Sequence, residues 1–148
     1  MFEREHLESS EQFVELKLET LVPVANKDFI LAKFPQVSFE QIQHSRQIVV
    51  ASRDKSIKPE LLYSKQYWRT DNHHSACALI MQNFGWGVLP LEMLNENPQL
   101  KTQLKILDLL DFTPKFEYFV DLVWSRESEL GAAARFLIQY IRNQRKKV

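Results

Sequence analysis

The chain has 148 residues, 45% of them apolar, with ten Phe and three Trp against three Gly and six Pro, which is enough for one ordinary domain with a packed core and excludes a low-complexity segment. Nineteen basic residues balance nineteen acidic ones, so the chain as a whole offers no charge with which to grip nucleic acid. A single cysteine, Cys77, excludes a disulfide framework and a cysteine zinc cluster; no apolar run approaches a membrane span, and the polar start MFEREHLESSEQF lacks a signal-peptide core, so a cytoplasmic protein is expected.

Residues 1–12 carry little hydrophobic pattern and read as a short helix or loose end, with Glu3, Glu5 and Glu8 an acidic face and no acid/base pair. From Phe13 the chain alternates Val14, Leu16, Leu18 against Glu15, Lys17, Glu19, the period of a half-buried strand. Leu21 to Ala25 is denser, and its Pro23 suggests an edge or crossing strand, not a sheet centre. Lys27 to Pro35 reads as a short helix or loop. Ser38 with Gln41 three residues on is a capping-box pattern that opens a short helix through His44. Gln47 to Ala51 is a β-branched run and a strand, followed by the polar loop Ser52 to Pro59.

Leu61 to Trp68 is ambiguous, with a strand expected at its end. Tyr67 to Pro90, YWRTDNHHSACALIMQNFGWGVLP, reads as strand, turn, helix, Gly-kinked turn and the start of another segment. Thr70, Asp71 and Asn72 are residue types that cap a helix by accepting from unpaired first-turn N–H groups. Ala76, Leu79 and Ile80, with Ala78 beside them, form one buried helix face. Asn83 and Gly85 suit left-handed positions that stop the helix. Beyond Pro90, Leu91–Leu94 and Leu100–Leu104 are one helical turn each around Pro98, and Leu104–Leu109 is a strand. Phe112–Lys115 contains a Thr-Pro turn. Phe116–Trp124, FEYFVDLVW, is the most apolar strand and is expected at the sheet centre. Ser125 or Ser128 would cap a last helix that buries Leu130, Ala133, Ala134, Leu137, Tyr140 and Ile141. The basic end, Arg142 to Lys147, complements that helix's dipole. Strands alternating with helices point to an α/β architecture with some parallel pairing.

In this order the segments resemble the effector-binding domain of LysR-type transcriptional regulators. ETLVPVANK (Glu19–Lys27) looks like the family's crossing strand. VSFEQIQHSRQIVV (Val37–Val50) resembles its short helix and following strand. NFGWGVLP (Asn83–Pro90) is similar to its G-x-G-x-x-x-L-P signature, with Asn83 at the first glycine, a residue that also tolerates the left-handed conformation. FEYFVDLVWSR and the helix after it resemble the return strand and terminal helix. The resemblance runs from about Leu16 to the end, and no part of the chain resembles the family's helix-turn-helix or the first half of its first subdomain.

The resemblance implies a type 2 periplasmic-binding-protein-like fold, a mixed sheet flanked by helices, in which a small effector binds between two subdomains. It divides the chain into a polar segment 1–13, a second-subdomain-like part 14–119, and a return strand and helix 120–148. In the family the terminal helix packs on the half that has no counterpart here, so the Leu130–Ile141 face would seek a partner: a second copy of the chain or an intact regulator. That makes a fragment, a shortened product, or a chain that completes itself as a dimer the expected alternatives, with no direct nucleic-acid or membrane contact by this chain.

Open α/β sheets bind ligands at strand C-terminal ends and helix N-termini. Ser52 and Arg53 follow the QIVVA strand, and Thr70, Asp71 and Asn72 precede the next helix. These five are the candidate effector-binding residues: hydroxyls and N–H groups to hold a carboxylate, and Arg53 to fork to it. Asp71 would repel an anion unless its side chain turns away. The bland alternative is helix caps beside a solvated arginine. His73 and His74 point about 100° apart on a helix and cannot chelate one metal together. Trp86 reads as core packing, Cys77 as a small buried thiol. No nucleophile–base–orienter set can be assembled, so neither an enzyme nor a cofactor or metal site is expected.

Overall fold

A short sequence signal opens each layer of the fold. Ser38 and Gln41 form the reciprocal capping box: the Ser38 Oγ accepts from the Gln41 N–H, and the Gln41 side chain accepts from the Ser38 N–H at 2.8 Å. The computed structural model describes residues 7–53, 56–57, 59–110 and 116–145. In chain order it contains β1 (Glu11–Asn26), α1 (Phe39–Gln43), β2 (Gln47–Val50), β3 (Tyr67–Thr70), α2 (His73–Met81), β4 (Trp86–Pro90), α3 (Leu91–Glu96), α4 (Pro98–Gln103), β5 (Leu104–Ile106), β6 (Phe116–Ser125) and α5 (Ala132–Arg145). Single 3₁₀ turns lie at Ile30–Lys33 and Pro59–Leu61. Glu3 and Glu5, the expected Phe112–Lys115 turn and the final lysines fall outside the described residues.

The chain forms two compact units, Thr20–Phe116 and Met1–Glu19 with Glu117–Val148. In the first, the strand order is β3-β2-β4-β1-β5. β2 pairs in parallel with β3 and β4, and β1 pairs antiparallel with β4 and β5. The expected mixed α/β sheet is therefore present. One layer of core, between the sheet and α2 to α4, holds Val24, Ile48, Ile80, Leu89 and Leu94; the other holds Ala25, Leu31, Val37, Ile42 and Trp86. The alternation Val24/Ala25 shows why: successive strand residues face opposite sides, and both sides are covered.

Pro23 sits inside this order, between β4 and β5, not at an edge. It is tolerated because the β5 ladder runs only from Val24 to Asn26, and beyond it the Pro23 carbonyl accepts the Leu107 N–H at 2.9 Å. β1 is a crossing strand in the sense expected, since its earlier residues belong to the other unit. It begins at Glu11, earlier than the alternation suggested. Leu104–Leu109 is shorter as a strand, ending at Ile106, with Leu109 in a lone bridge to Val37.

Asn83 has φ 66° and closes α2, as its side chain allows; no described glycine has positive φ. Gly85 is needed for another reason. A Cβ there would lie 2.5 Å from the Arg46 carbonyl oxygen, so the glycine permits close backbone approach, not a left-handed turn. On α2 the buried residues are Ala76, Cys77 and Ile80, while Ala78 is exposed. Burial pushes the Cys77 thiol above its ordinary range, consistent with an inert core cysteine.

In the other unit, β6 pairs with β1 and, among the described strands, with no other. Tyr118 donates to Glu19 at 2.6 Å, Trp124 to Gln12 at 3.1 Å, and the Arg126 N–H to the Ser10 carbonyl at 2.8 Å. The expectation of a central β6 is thus corrected: its apolar run is half-buried on both faces, not enclosed. The helix start is corrected too. α5 begins at Ala132, beyond Ser125 and Ser128; the Ser125 hydroxyl instead accepts from the Glu127 N–H in a local turn. Its inward residue is Ile138, flanked by the half-buried Ala134 and Ile141, whereas Ala133, Leu137 and Tyr140 are exposed. The predicted face was rotated because Ile138 was left out of it. Arg145 at the helix end pairs with Glu15 of β1.

Candidate functional site

The parallel pair β2/β3 ends level: Val50 lies opposite Thr70, and the Ala51 N–H donates to the Thr70 carbonyl at 2.9 Å. The segments that leave the two strands therefore meet at one end of the sheet. One carries Ser52 and Arg53; the other turns through Asp71 and Asn72 into α2. An open hollow of about 480 Å³ lies there, lined by Ala51, Arg53, Arg69, Thr70, Asp71 and Ser75.

Three of the five predicted residues, Arg53, Thr70 and Asp71, line this hollow together. Arg53 forks onto Asp71, its Nε and an Nη both donating to Oδ2, the former at 2.8 Å. The Arg53 side chain is 82% exposed, so the pair contributes little stability by itself. The Arg53 guanidinium, first by hydrogen bond and then by charge, holds the Asp71 carboxyl below the usual carboxylate range. The fork expected for a ligand carboxylate is thus made within the chain, and the same contact answers the concern that Asp71 would repel an anion. Among the described residues the lining carries the guanidiniums of Arg53 and Arg69 and the carboxylate of Asp71.

Asn72 does not line the hollow. It is the N-cap of α2, its Oδ1 accepting from the Ser75 N–H at 2.8 Å while its amide donates to Asp71 at 2.7 Å. The Thr70 hydroxyl lies 3.3 Å from the Asn72 carbonyl and 3.5 Å from that of Val49, both at the long end of hydrogen-bond range. Ser52 is exposed and outside the lining. Arg69 and Ser75 were not anticipated. The signal for Ser75 was the third position of α2, whose side chain lies over the first turn; alternation along β3 sets Arg69 on the opposite face from Thr70 and gave no signal for it.

A second, smaller crevice of about 80 Å³ is lined by Val49, Val50, Leu61, Tyr63 and Val88 among others. Gln47, buried in β2, fixes its far wall: its amide donates to the Leu61 carbonyl at 2.8 Å, and its oxygen accepts from the Tyr63 and Ser64 N–H groups at 2.9 and 3.2 Å. Trp86 is core, as expected, donating from Nε1 to the Ser64 hydroxyl at 3.0 Å, which in turn donates to the Ile42 carbonyl at 2.8 Å. Among the described residues no group of three or more His, Cys, Asp or Glu could hold a metal, and no helix is long and apolar enough to cross a membrane.

An open mixed sheet flanked by helices, with a polar hollow beyond its parallel strand ends, is a periplasmic-binding-protein-like α/β architecture. The sequence matches the family described as LysR substrate binding domain over residues 2–146, and the chain belongs to that family. It is 70% identical over 145 residues to the HTH-type transcriptional regulator AceR of Acinetobacter baumannii; the match covers 98% of this chain and 49% of that protein, so the chain spans about half the length of this curated relative. Solved structures share the fold at low identity. The effector binding domain of QuiR in complex with shikimate is 18% identical with a TM-score of 0.66, over 99% of this chain and 69% of that one. The regulatory domain of CcmR from Synechocystis in complex with 2-PG is 14% identical with a TM-score of 0.64, over 93% and 68%. The regulatory domain of MetR from N. meningitidis is 15% identical with a TM-score of 0.66, over 95% and 66%.

Proposed function

We propose that this chain is the effector-sensing portion of a LysR-type transcriptional regulator, cytoplasmic and non-enzymatic, and that its effector is a small carboxylate held at the Arg53–Asp71 hollow. The observation that carries the reading is the arrangement: where two parallel strands end and a nine-residue helix begins, an Arg53 guanidinium held by Asp71 lines one hollow with Thr70 and Ser75. Asp71 holds Arg53 in place, and Thr70 and Ser75 supply hydroxyls beside it. An incoming carboxylate shares the Arg53 fork with Asp71, as charge-assisted pairs allow. Ser52 and Asn72 act at one remove, in the loop and at the cap. Shikimate and 2-PG in QuiR and CcmR support a small-molecule role for domains of this fold. In this reading residues 14–119 form the effector-holding subdomain and 120–148 the return strand and helix. The chain by itself has no sequence preference for duplex DNA.

The test is thermal shift against metabolite carboxylates, each paired with its neutral amide. Stabilisation by an acid and not its amide, lost in Arg53→Gln and Arg69→Gln, supports the reading. Equal stabilisation by acid and amide, or none by any acid, overturns it.

A second reading rests on α5, where Phe136 is 73% exposed, Tyr140 54% and Leu137 48%, on one side of the helix with Ala133. An apolar stripe of this kind is unusual on a free surface, and it favours an interaction module that pairs with a second copy or with an intact regulator. Molar mass by light scattering over a concentration series decides: a dimer that Phe136→Lys with Leu137→Glu converts to folded monomer supports it, and a monomer at all concentrations counts against self-pairing.

A further inference from the structure

We propose that α5 is a self-pairing seam: two copies of the chain dock antiparallel along the outer face of this helix, the Tyr140 end of each resting on the Ala132–Ala133 end of the other. This rests on the interaction-module reading above and names its partner and geometry. At about 100° per residue, Ala132, Ala133, Phe136, Leu137, Tyr140 and Gln144 share the side of α5 turned away from the inward Ile138, and all six are exposed. That side carries no charge. The arginines of the helix lie elsewhere on it: Arg145 reaches Glu15 of β1, and Arg135 donates to the Leu130 carbonyl. Arg142 follows Arg135 by two turns and falls on the same line. A surface helix ordinarily turns charged residues outward; an uncharged outer side meets a second copy of itself without like-charge repulsion.

The face is also graded in size along the helix. Two alanines open it, Phe136 and Leu137 stand at its middle, and Tyr140 and Gln144 close it. Parallel copies would set Tyr140 against the partner's Tyr140 and leave a gap between the two alanine ends. Antiparallel copies, with the twofold axis between Phe136 and Leu137, set Tyr140 on the partner's Ala133 and Phe136 beside the partner's Leu137. Large then faces small along the whole seam, as close packing requires. The rings of Phe136 and Tyr140 are already stacked, with centroids 6.4 Å apart and planes at 23°, so docking has less side-chain freedom to remove. One helix pair lies at the small end of protein interfaces, so the expected dimer is weak and reversible.

The experiment mixes nitroxide-labelled chain with isotope-labelled chain and reads which amides broaden. Cys77 is buried, so Glu129→Cys takes the label at an exposed position just before the helix. The two ends of the seam lie about 18 Å apart at 1.5 Å per residue. The antiparallel seam puts the strongest broadening at residues 142–145 of the isotope-labelled chain. A size swap reads the same geometry through affinity. Ala133→Tyr by clash and Tyr140→Ala by a gap are each expected to weaken dimerisation about tenfold. Combined in one chain they restore it, because large again faces small. Both positions are exposed, and unchanged melting of the variants checks that they are folded. Strongest broadening at residues 130–133, or a double variant no tighter than the single ones, overturns the inference and leaves the interaction-module reading standing. A dimer indifferent to both single variants, or a monomer at every concentration, overturns the inference and self-pairing through α5 together.

Discussion

Replacing Gln47 by Leu tests the polar tie on which the crevice depends. Gln47 is a buried polar residue in an otherwise apolar strand, and its side chain serves three backbone groups of the Leu61–Ser64 segment. Leucine has similar size and serves none. The Ser64 N–H belongs to a buried residue, so it meets the full cost of an unpaired donor, about 1–3 kcal/mol. Leu61 and Tyr63 are half-buried and regain water in part, adding roughly 1–2 kcal/mol between them. Leucine's own burial offsets about 1 kcal/mol. The expected net loss is therefore roughly 1–4 kcal/mol, a large part of the ~5–15 kcal/mol that holds a domain together. Urea unfolding measures it as a lower midpoint at unchanged slope, and amide exchange at Tyr63 and Ser64 rises beyond that of the α2 core. A loss below about 0.5 kcal/mol with unchanged exchange at Ser64 would show that Gln47 does not hold this segment.

Gly85→Ala forces a Cβ to 2.5 Å from the Arg46 carbonyl and is expected to cost about 1–3 kcal/mol. By contrast, Gly131→Ala meets nothing within 4 Å and should leave stability unchanged or raise it by about 0.4–1 kcal/mol; equal melting temperatures for the two variants would refute the close-approach account. Asn72→Ala removes the α2 cap and should cost about 1 kcal/mol by chemical denaturation, with Asn72→Asp nearly neutral; an unaffected Asn72→Ala would leave the cap without energetic weight. Asp71 titrates below its ordinary range when folded, so its pairing stabilises the protein above the unfolded carboxylate value and that contribution is lost as pH falls through the folded one. Below about pH 4, Asp71→Asn should therefore flatten the acid limb of the stability curve, and an unchanged limb would count against the pairing.

Much of the fold was legible because local chemistry and tertiary packing agree there. Ser38 and Gln41, Asn72, Asn83 and Pro98 each mark a helix boundary found in the structure, since caps are satisfied by atoms within a turn of the residue. The β6 and α5 errors have the opposite origin. FEYFVDLVW is apolar enough for a sheet centre, but whether a strand is enclosed depends on what pairs with its other edge, and sequence periodicity carries no such information. The α5 stripe likewise satisfies the helical period on two overlapping sides, one through Ala134, Ile138 and Ile141 and one through Ala133, Leu137 and Tyr140. Only the packed structure selects Ile138 as the inward residue.

The candidate site was legible in location and less so in its electrostatics. Strand ends and a helix start announce where a ligand pocket can form, because the exits of parallel strands converge whatever the residues are. The Arg53–Asp71 pair joins residues eighteen apart in sequence, across two loops whose meeting depends on the Val50–Thr70 register. Reading Asp71 alone made it an obstacle to an anion; with the register in hand it becomes the group that holds a guanidinium toward the hollow. Arg69 carried no signal of its own, since alternation along β3 sets it on the opposite face from Thr70. Its position one residue before the strand's end is what brings it to the lining. The Arg53–Asp71 pairing is thus a property of register: the two exits meet because Val50 lies opposite Thr70.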